Sequence, residues 1–440
     1  MTRRKCMPFL RKQRDCRRRR LRFKTVTSTT VGGAQAIGEV RVRYLVTRAA
    51  LRAAKAMTTP GLEPRQRLET LMECHGTMLA ARGPLSPLPF GEFRRALRGD
   101  LAALLPEGVS PLDLNGVLVV DQDGQITEDA FDLDLEQQML LHTLRKLDRT
   151  AGSVSDRDLQ SEIDQETVFT LLHKQGDQAV YEAGRADLIR RPAGPVDDLS
   201  KLRLPPLVAD FYQKISYDSA YQDRWWFACP VCRWPMRITV RKEAGTPVGA
   251  VRCWHAPHAD MGASYLFRLP ADGSAPELLP EPSPPRPSGC ETVLYPDLGE
   301  VPQAQLTEGH KALTRGIWRY TTVPGLPELA LHDRLKMRGL KVSLWPGLDA
   351  YDLLVEAGPK RGRKVPFKVD VKDYTSATTL ASLVHAQEGD RGGAEWLVVP
   401  DYRAGQVPLL SGVCAKYGMR VATASEFGEM VCEKAGVSWV

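Results

Sequence analysis

The 440-residue sequence predicts a multidomain protein with a mostly helical N-terminal region, a small cysteine-bearing β insert and a C-terminal α/β domain. Three observations predict it. Apolar residues recur at helical spacing over much of 34–224. Cys229-Pro-Val-Cys232 opens a stretch of short β-type runs. Between Pro327 and Ala424, helical and β-branched runs follow one another. The expected divisions are a basic leader (1–33), a helical domain (34–224), the insert (225–268), a Pro/Ser-rich linker (269–291) and the α/β domain (292–440).

Composition is ordinary for a globular chain, with 43% hydrophobic and 26% charged residues. The net charge of +7 divides unevenly. Residues 1–24 hold twelve Lys or Arg and one acid, a leader of +11, which leaves the remainder at −4. The leader reads either as a disordered arm able to touch phosphate nonspecifically or as upstream sequence translated from a misplaced start codon, and overall basicity says nothing about nucleic-acid binding by the folded part. VTSTTVGGAQ after it has no apolar core, which excludes a signal peptide. No apolar run is long enough for a transmembrane helix. Nine scattered cysteines do not form a disulfide framework, and a reducing cytoplasm is the expected compartment.

Within the helical region, Ile37–Val46 alternates, Arg48–Met57 reads as a helix, and Glu63–Arg82 and Phe90–Leu105 have helical spacing. Residues 114–121 read as one short strand, 134–148 and 156–175 as helices, and Pro206–Ile215 as a further helix after the proline-bearing RRPAGPVDD.

The insert carries a metal signature. Cys229 and Cys232 form a tight knuckle, and Cys253 follows with His255 and His258 close by. Thiolates and imidazole at this spacing suit tetrahedral Zn²⁺ in a structural role, since four protein ligands leave no open position. His258 is favoured over His255 as fourth ligand, because Cys253 to His258 closes the more comfortable loop. Met236–Val240 and Val248–Arg252 read as a strand pair, so the module resembles a zinc ribbon. Trp225, Trp226, Phe227, Trp234 and Trp254 surround the knuckle, as the core of a small ribbon or as a stacking surface for bases. Beyond the linker, His310, Lys311, Arg315 and Trp318 are expected on a helix with a solvated face.

The C-terminal domain is organised by 341–374, KVSLWPGLDAYDLLVEAGPKRGRKVPFKVDVKDY. Strands are predicted at 341–346, 350–357 and 365–372, the last two as a hairpin. A hairpin centred on Arg361 sets Asp352 opposite Asp370, and strand alternation turns Asp370 and Lys372 to one face. Facing carboxylates repel, and a divalent cation such as Mg²⁺ removes that penalty. Lys372 stands ready to orient or activate a water, or to neutralise phosphate charge. Lys360, Arg361, Arg363 and Lys364 on the hairpin loop are expected beside this site, in contact with nucleic-acid backbone. A helix Pro327–Arg338 capped by Gly339 precedes the strands; a helix Ser376–Ala386, a strand Ala394–Pro400, a helix Gln406–Tyr417 and a strand Arg420–Ala424 follow.

This α-β-β-β-α-β order, with Asp352 and Asp370-Val371-Lys372, resembles the core of the PD-(D/E)xK, restriction-endonuclease-like nucleases. Tyr351 replaces the proline usual before the first aspartate. The resemblance implies Mg²⁺ (or Mn²⁺) on Asp352, Asp370 and the Val371 carbonyl, Glu328 supporting that site or a second ion, and products with a 5′-phosphate. With the helical region and ribbon in front, the layout is similar to the restriction-endonuclease-like protein of prokaryotic PIWI-RE (pPIWI-RE) three-gene islands. That implies an endonuclease in defence against invading nucleic acid, acting on DNA or an RNA–DNA hybrid beside a PIWI-type protein and a helicase, with homodimerisation where both strands are cut. A repair or junction-resolving nuclease, or an inactive nuclease fold that binds DNA, are the alternatives.

Overall fold

The computed structural model describes residues 30–147, 168–281 and 298–439, apart from positions 60, 85, 122, 123, 175, 244, 245, 271, 299 and 360. The leader through residue 29, positions 156–167 of the predicted helix 156–175, linker residues 282–291 and Lys360 lie outside the described residues.

The N-terminal region is helical, with boundaries that differ from the sequence reading. A single helix α1 (Thr30–Thr58) runs through the alternating stretch 37–46. Val40, Tyr44, Val46, Ala49, Ala50, Ala53 and Ala54 are buried, a helical stripe that a brief alternation within good helix formers does not override. It packs on α2 (Pro64–Arg82). The third run stops as α3 (Phe90–Ala96), and Asp100 then accepts from Ala102 N to cap a separate 3₁₀ turn, Leu101–Leu104. Residues 114–121 make only isolated bridges, Asp100 with Leu118 and Val120 with Ile126, so no strand forms there. Helix α4 (Glu128–Leu147) begins earlier than 134.

Helix α5 (Gln178–Arg190) was not anticipated. Asp177 caps it by accepting from Val180 N, and Tyr181, Leu188 and Ile189 are buried. RRPAGP supplies β1 (Ala193–Pro195). The helix expected at Pro206–Ile215 is one turn, Pro206–Ala209, followed by strand β2 (Tyr212–Lys214).

The insert begins with β3 (Trp225–Trp226) and builds an antiparallel sheet from β4 (Arg237–Glu243), β5 (Thr246–Arg252), β6 (Ser264–Arg268) and β7 (Leu279–Pro280). Arg237 stands opposite Arg252, so the expected strand pair is present and longer. Part of the stretch read as linker therefore belongs to this sheet. Next come β8 (Gln305–Leu306), which pairs with β3, and β9 (His310–Leu313), which lies between β1 and β2. His310 and Lys311 are thus on a strand, while Arg315 and Trp318 begin a helical stretch. Trp318 is buried in a stack on Trp234, with centroids 4.4 Å apart, instead of lining a solvated face.

The C-terminal region is an α/β layer structure. Helix α6 (Val323–Met337) starts one turn before Pro327, with Pro324 in its first turn, where a missing N–H costs nothing, and ends before Gly339 at φ 80°. A mixed sheet follows in sequence order: β10 (Lys341–Leu344), β11 (Leu353–Ala357), β12 (Val365–Val371), β13 (Trp396–Val399) and β14 (Arg420–Thr423). The first three are antiparallel, and β12, β13 and β14 run parallel. Between β12 and β13 lies α7 (Ala377–Ala386), and between β13 and β14 lies α8 (Val407–Cys414). The chain ends in α9 (Ala424–Ala435), which the sequence reading did not include; Thr423 and Glu426 form its capping box. Alternation along β13 divides the cores. Val398 packs with α6 and α9, and Leu397 and Val399 pack with α7 and α8. Val40, Tyr44, Leu140 and Leu141 meet Leu383 of α7, which docks the N-terminal helices on the sheet domain.

Candidate active site

The hairpin β11–β12 has the register expected from its sequence. Leu353 faces Val369, and Asp352 N donates to Val369 O at 3.0 Å. Asp352 and Asp370 are both buried at the open end of this hairpin. Lys372, just beyond β12, is 24% exposed. Its ammonium lies 3.1 Å from Asp352 Oδ2, 2.6 Å from Asp370 Oδ1 and 3.2 Å from Val371 O. One cation therefore touches the three oxygens predicted to hold Mg²⁺. Asp352 Oδ2 also accepts from Val371 N at 2.6 Å.

Electrostatics follow from the crowding. Burial raises the Asp370 pKa, and Asp352 adds to it against Lys372 and Arg391. Burial works the same way on Asp352, but Lys372, Arg185 and the Val371 N–H prevail and hold it low. Asp370 Oδ2 is buried without a hydrogen bond, 3.6 Å from Arg391 Nε. A buried carboxylate oxygen without a hydrogen bond, with Asp352 as a second acid nearby, is a donor set that suits a hard cation.

Glu328 on α6 is part of the same cluster by way of Arg185. Arg185 Nη2 donates to both Glu328 oxygens at 3.0 and 2.8 Å, and Trp345 Nε1 donates to Oε2. Desolvation pushes the Glu328 pKa up to about 8 despite that pairing. Arg185 also pairs with Asp349, and its Nη2 lies 3.6 Å from Asp352 Oδ1. The Trp345 ring covers the guanidinium at 4.5 Å.

The turn between β10 and β11 displaces the first residues of the strand expected at 350–357. Trp345, Leu348 and Asp349 take positive φ, as does Gly347, and Trp345 N donates to Asp352 O. Such backbone costs about 1–3 kcal/mol per residue and persists only where neighbours hold it. Gln178 of α5 holds it, donating to Trp345 O and accepting from Leu348 N, both at 2.9 Å. Arg185, Arg391, Asp349 and Trp345 were all missed by sequence reasoning. Apolar spacing and the Asp177 cap could have signalled the α5 helix, but nothing local tied Arg185 to a site 143 residues away.

The basic loop is a correction. Arg361, Arg363 and Lys364 are exposed at the closed end of the hairpin. Asp352 is five residues of extended chain from Ala357, about 17 Å at strand rise, so the loop is not beside the acids. Lys360 lies outside the described residues.

In the insert, Cys229, Cys232, Cys253 and His258 are all buried, with ligand atoms within 4.8 Å of one another, a group able to hold a metal ion. Cys229 N donates to Trp234 O, and Arg233 N to Cys229 O with Arg233 at φ 60°, which folds the knuckle. His255 is outside this group. Its Nε2 lies 3.3 Å from Asp373 Oδ2. Trp226, Phe227, Trp234 and Trp254 are buried, so they build core; Trp225 is half-buried.

Residues 325–439 match the family described as REase associating with pPIWI_RE. The C-terminal region thus resembles the restriction-endonuclease-like protein of pPIWI-RE islands. No curated protein and no solved structure matches the chain. Among the described residues, no helix is long and apolar enough to cross a membrane.

Proposed function

We propose that this protein is a divalent-metal-dependent endonuclease with a PD-(D/E)xK site, acting on DNA or an RNA–DNA hybrid in defence against invading nucleic acid. The observation that carries the reading is the convergence of Asp352 Oδ2, Asp370 Oδ1 and Val371 O on one cation, the Lys372 ammonium. Two buried acids and a carbonyl around a single point fit Mg²⁺ or Mn²⁺ better than a plain surface ion pair. When bound, that ion supplies Lewis acidity at the scissile phosphate.

The chain's own groups do the rest. Asp352 and Asp370 hold the ion, and the Val371 N–H fixes the Asp352 carboxylate. Lys372, partly open to solvent, has donors to orient the attacking water and to offset charge on the phosphate. Attack at phosphorus breaks the bond to the 3′ oxygen, which takes a proton, and the 5′ side keeps the phosphate. Glu328 acts indirectly, holding Arg185 and Trp345. The insert is read as a zinc ribbon, with Zn²⁺ on Cys229, Cys232, Cys253 and His258 in a structural role. The leader, helical region, ribbon, linker and nuclease domain are proposed as its divisions, the cytoplasm as its compartment, and a PIWI-type protein and a helicase as its partners.

The test is cleavage of labelled single-stranded DNA, duplex DNA and RNA–DNA hybrid with Mg²⁺ or Mn²⁺, using Lys372→Ala as control. Metal-dependent cleavage lost in a folded Lys372→Ala protein is the expected result. Equal cleavage by both proteins, or none even with the two partners added, sinks the reading.

A further inference from the structure

Asp352 faces two cations. Its Oδ2 takes the Lys372 ammonium, and its Oδ1 lies 3.6 Å from the Arg185 guanidinium. A carboxylate with one oxygen on each of two positive centres is the arrangement of a two-ion phosphodiesterase site, whose metals sit about 4 Å apart. Here the second centre is supplied by the chain. Arg185 Nη2 donates to both Glu328 oxygens, its Nη1 pairs with Asp349, and its side chain is 7% exposed. Trp345 and Phe169 rings cover it at 4.5 and 5.2 Å, and Tyr181 lies within 3.2 Å.

We propose that Arg185 is the built-in second cation of this site: its guanidinium holds the place among Glu328, Asp349 and Asp352 that a second divalent ion would need. The inference rests on the metal-dependent reading above and deepens it. The site then runs on one ion, and Arg185 is a positioning residue for Asp352. The chemistry of the side chain supports this use. A guanidinium does not lose its proton in proteins, and its planar fork matches carboxylates. In contact with two rings and bonded to acids, it does not exchange as a hydrated ion does. Three acids gathered around nothing would repel one another; gathered around Arg185 that repulsion is offset in part before any metal arrives. A guanidinium supplied by α5, far away in sequence, also ties assembly of the site to docking of the N-terminal region.

The experiment counts Mn²⁺ bound per zinc-loaded full-length chain, by electron paramagnetic resonance and calorimetric titration, with melting curves alongside. Wild type is expected to bind one Mn²⁺. Arg185→Met is expected to bind two, with a melting temperature lowered in the absence of Mn²⁺ and largely recovered in its presence. Two ions on wild type, or one on Arg185→Met without that recovery, overturns the proposal. If Arg185→Met does not fold, Glu328→Gln decides: Mn²⁺ affinity within about threefold of wild type supports Arg185 as the partner of Glu328, and a loss beyond tenfold overturns it. No Mn²⁺ on wild type defeats the metal-dependent reading itself, a failure distinct from a wrong ion count.

Discussion

His255 Nε2 lies 3.3 Å from Asp373 Oδ2, with both side chains buried, so the segment that follows Cys253 meets the residue that follows Lys372. Asp373 is held on its other sides by Arg403 Nε at 3.0 Å and the Tyr402 hydroxyl at 2.9 Å. The His255 and His258 rings are 4.6 Å apart, and the cysteine cluster is thereby braced against the end of the DVK strand.

His258 and His255 should separate cleanly on substitution. His258→Gln is expected to lose its zinc, while His255→Gln keeps it and is destabilised by about 1–3 kcal/mol, the cost of a buried polar partner removed. Metal analysis and denaturant unfolding of the two variants check this. Zinc lost from His255→Gln would reverse the ligand assignment.

Asp370 is a group held against its own preference. Burial and Asp352 both disfavour its charge. Asp370→Asn is therefore expected to melt at the same temperature as wild type or higher, while cleavage falls at least about 100-fold, as when a charge-stabilising group is removed from an active site. A clearly lower melting temperature would count against the electrostatic account.

Glu136 gives a pH signature. It accepts from Thr375 N and Ser376 N at 2.6 and 2.8 Å, yet desolvation raises its pKa from 4.5 to about 8. The folded state then keeps a proton that the unfolded chain has released, so this contribution is present below about 4.5 and is lost as pH rises through about 8. The slope is up to about 1.4 kcal/mol per pH unit. Glu136→Gln should flatten it, so that the variant gains on wild type between pH 5 and 8. Parallel stability–pH curves would rule this out.

Gly392 reports the packing of the loop before β13 on the turn before β11. Its φ is +64°, and a Cβ there would lie 1.6 Å from Ala350 O. Gly392→Ala should cost about 3 kcal/mol or more, as both strain and overlap act on backbone. Gly405→Ala, with nothing within 4 Å of its Cβ, is the neutral control for denaturant titration.

Legibility followed range. The register of β11 on β12 was readable because a short loop and a period of two leave little freedom, and with it came Asp352, Asp370 and Lys372 on one face. The cysteine group was readable because a knuckle at fixed spacing needs its partners nearby. α1 was misread where a local alternation competed with a longer helical stripe. The basic loop was placed wrongly because charge suggested proximity, while the hairpin's length put it at the opposite end from the acids.

By itself, the sequence determined the order of elements along the C-terminal region, the hairpin register and the two clusters whose members lie close along the chain; the order of strands in the sheet was the structure's. These follow from alternation, turn residues and spacing, which act over a few residues. Tertiary structure alone decided that Arg185 of α5 sits between Glu328, Asp349 and Asp352, that Arg391 faces Asp370, and that His255 turns to Asp373 instead of joining the cysteines. Each is a polar or charged group buried by a distant segment. Its partner is set by which surfaces pack together, because only a buried charge must find an opposite one, and burial is not written in local sequence.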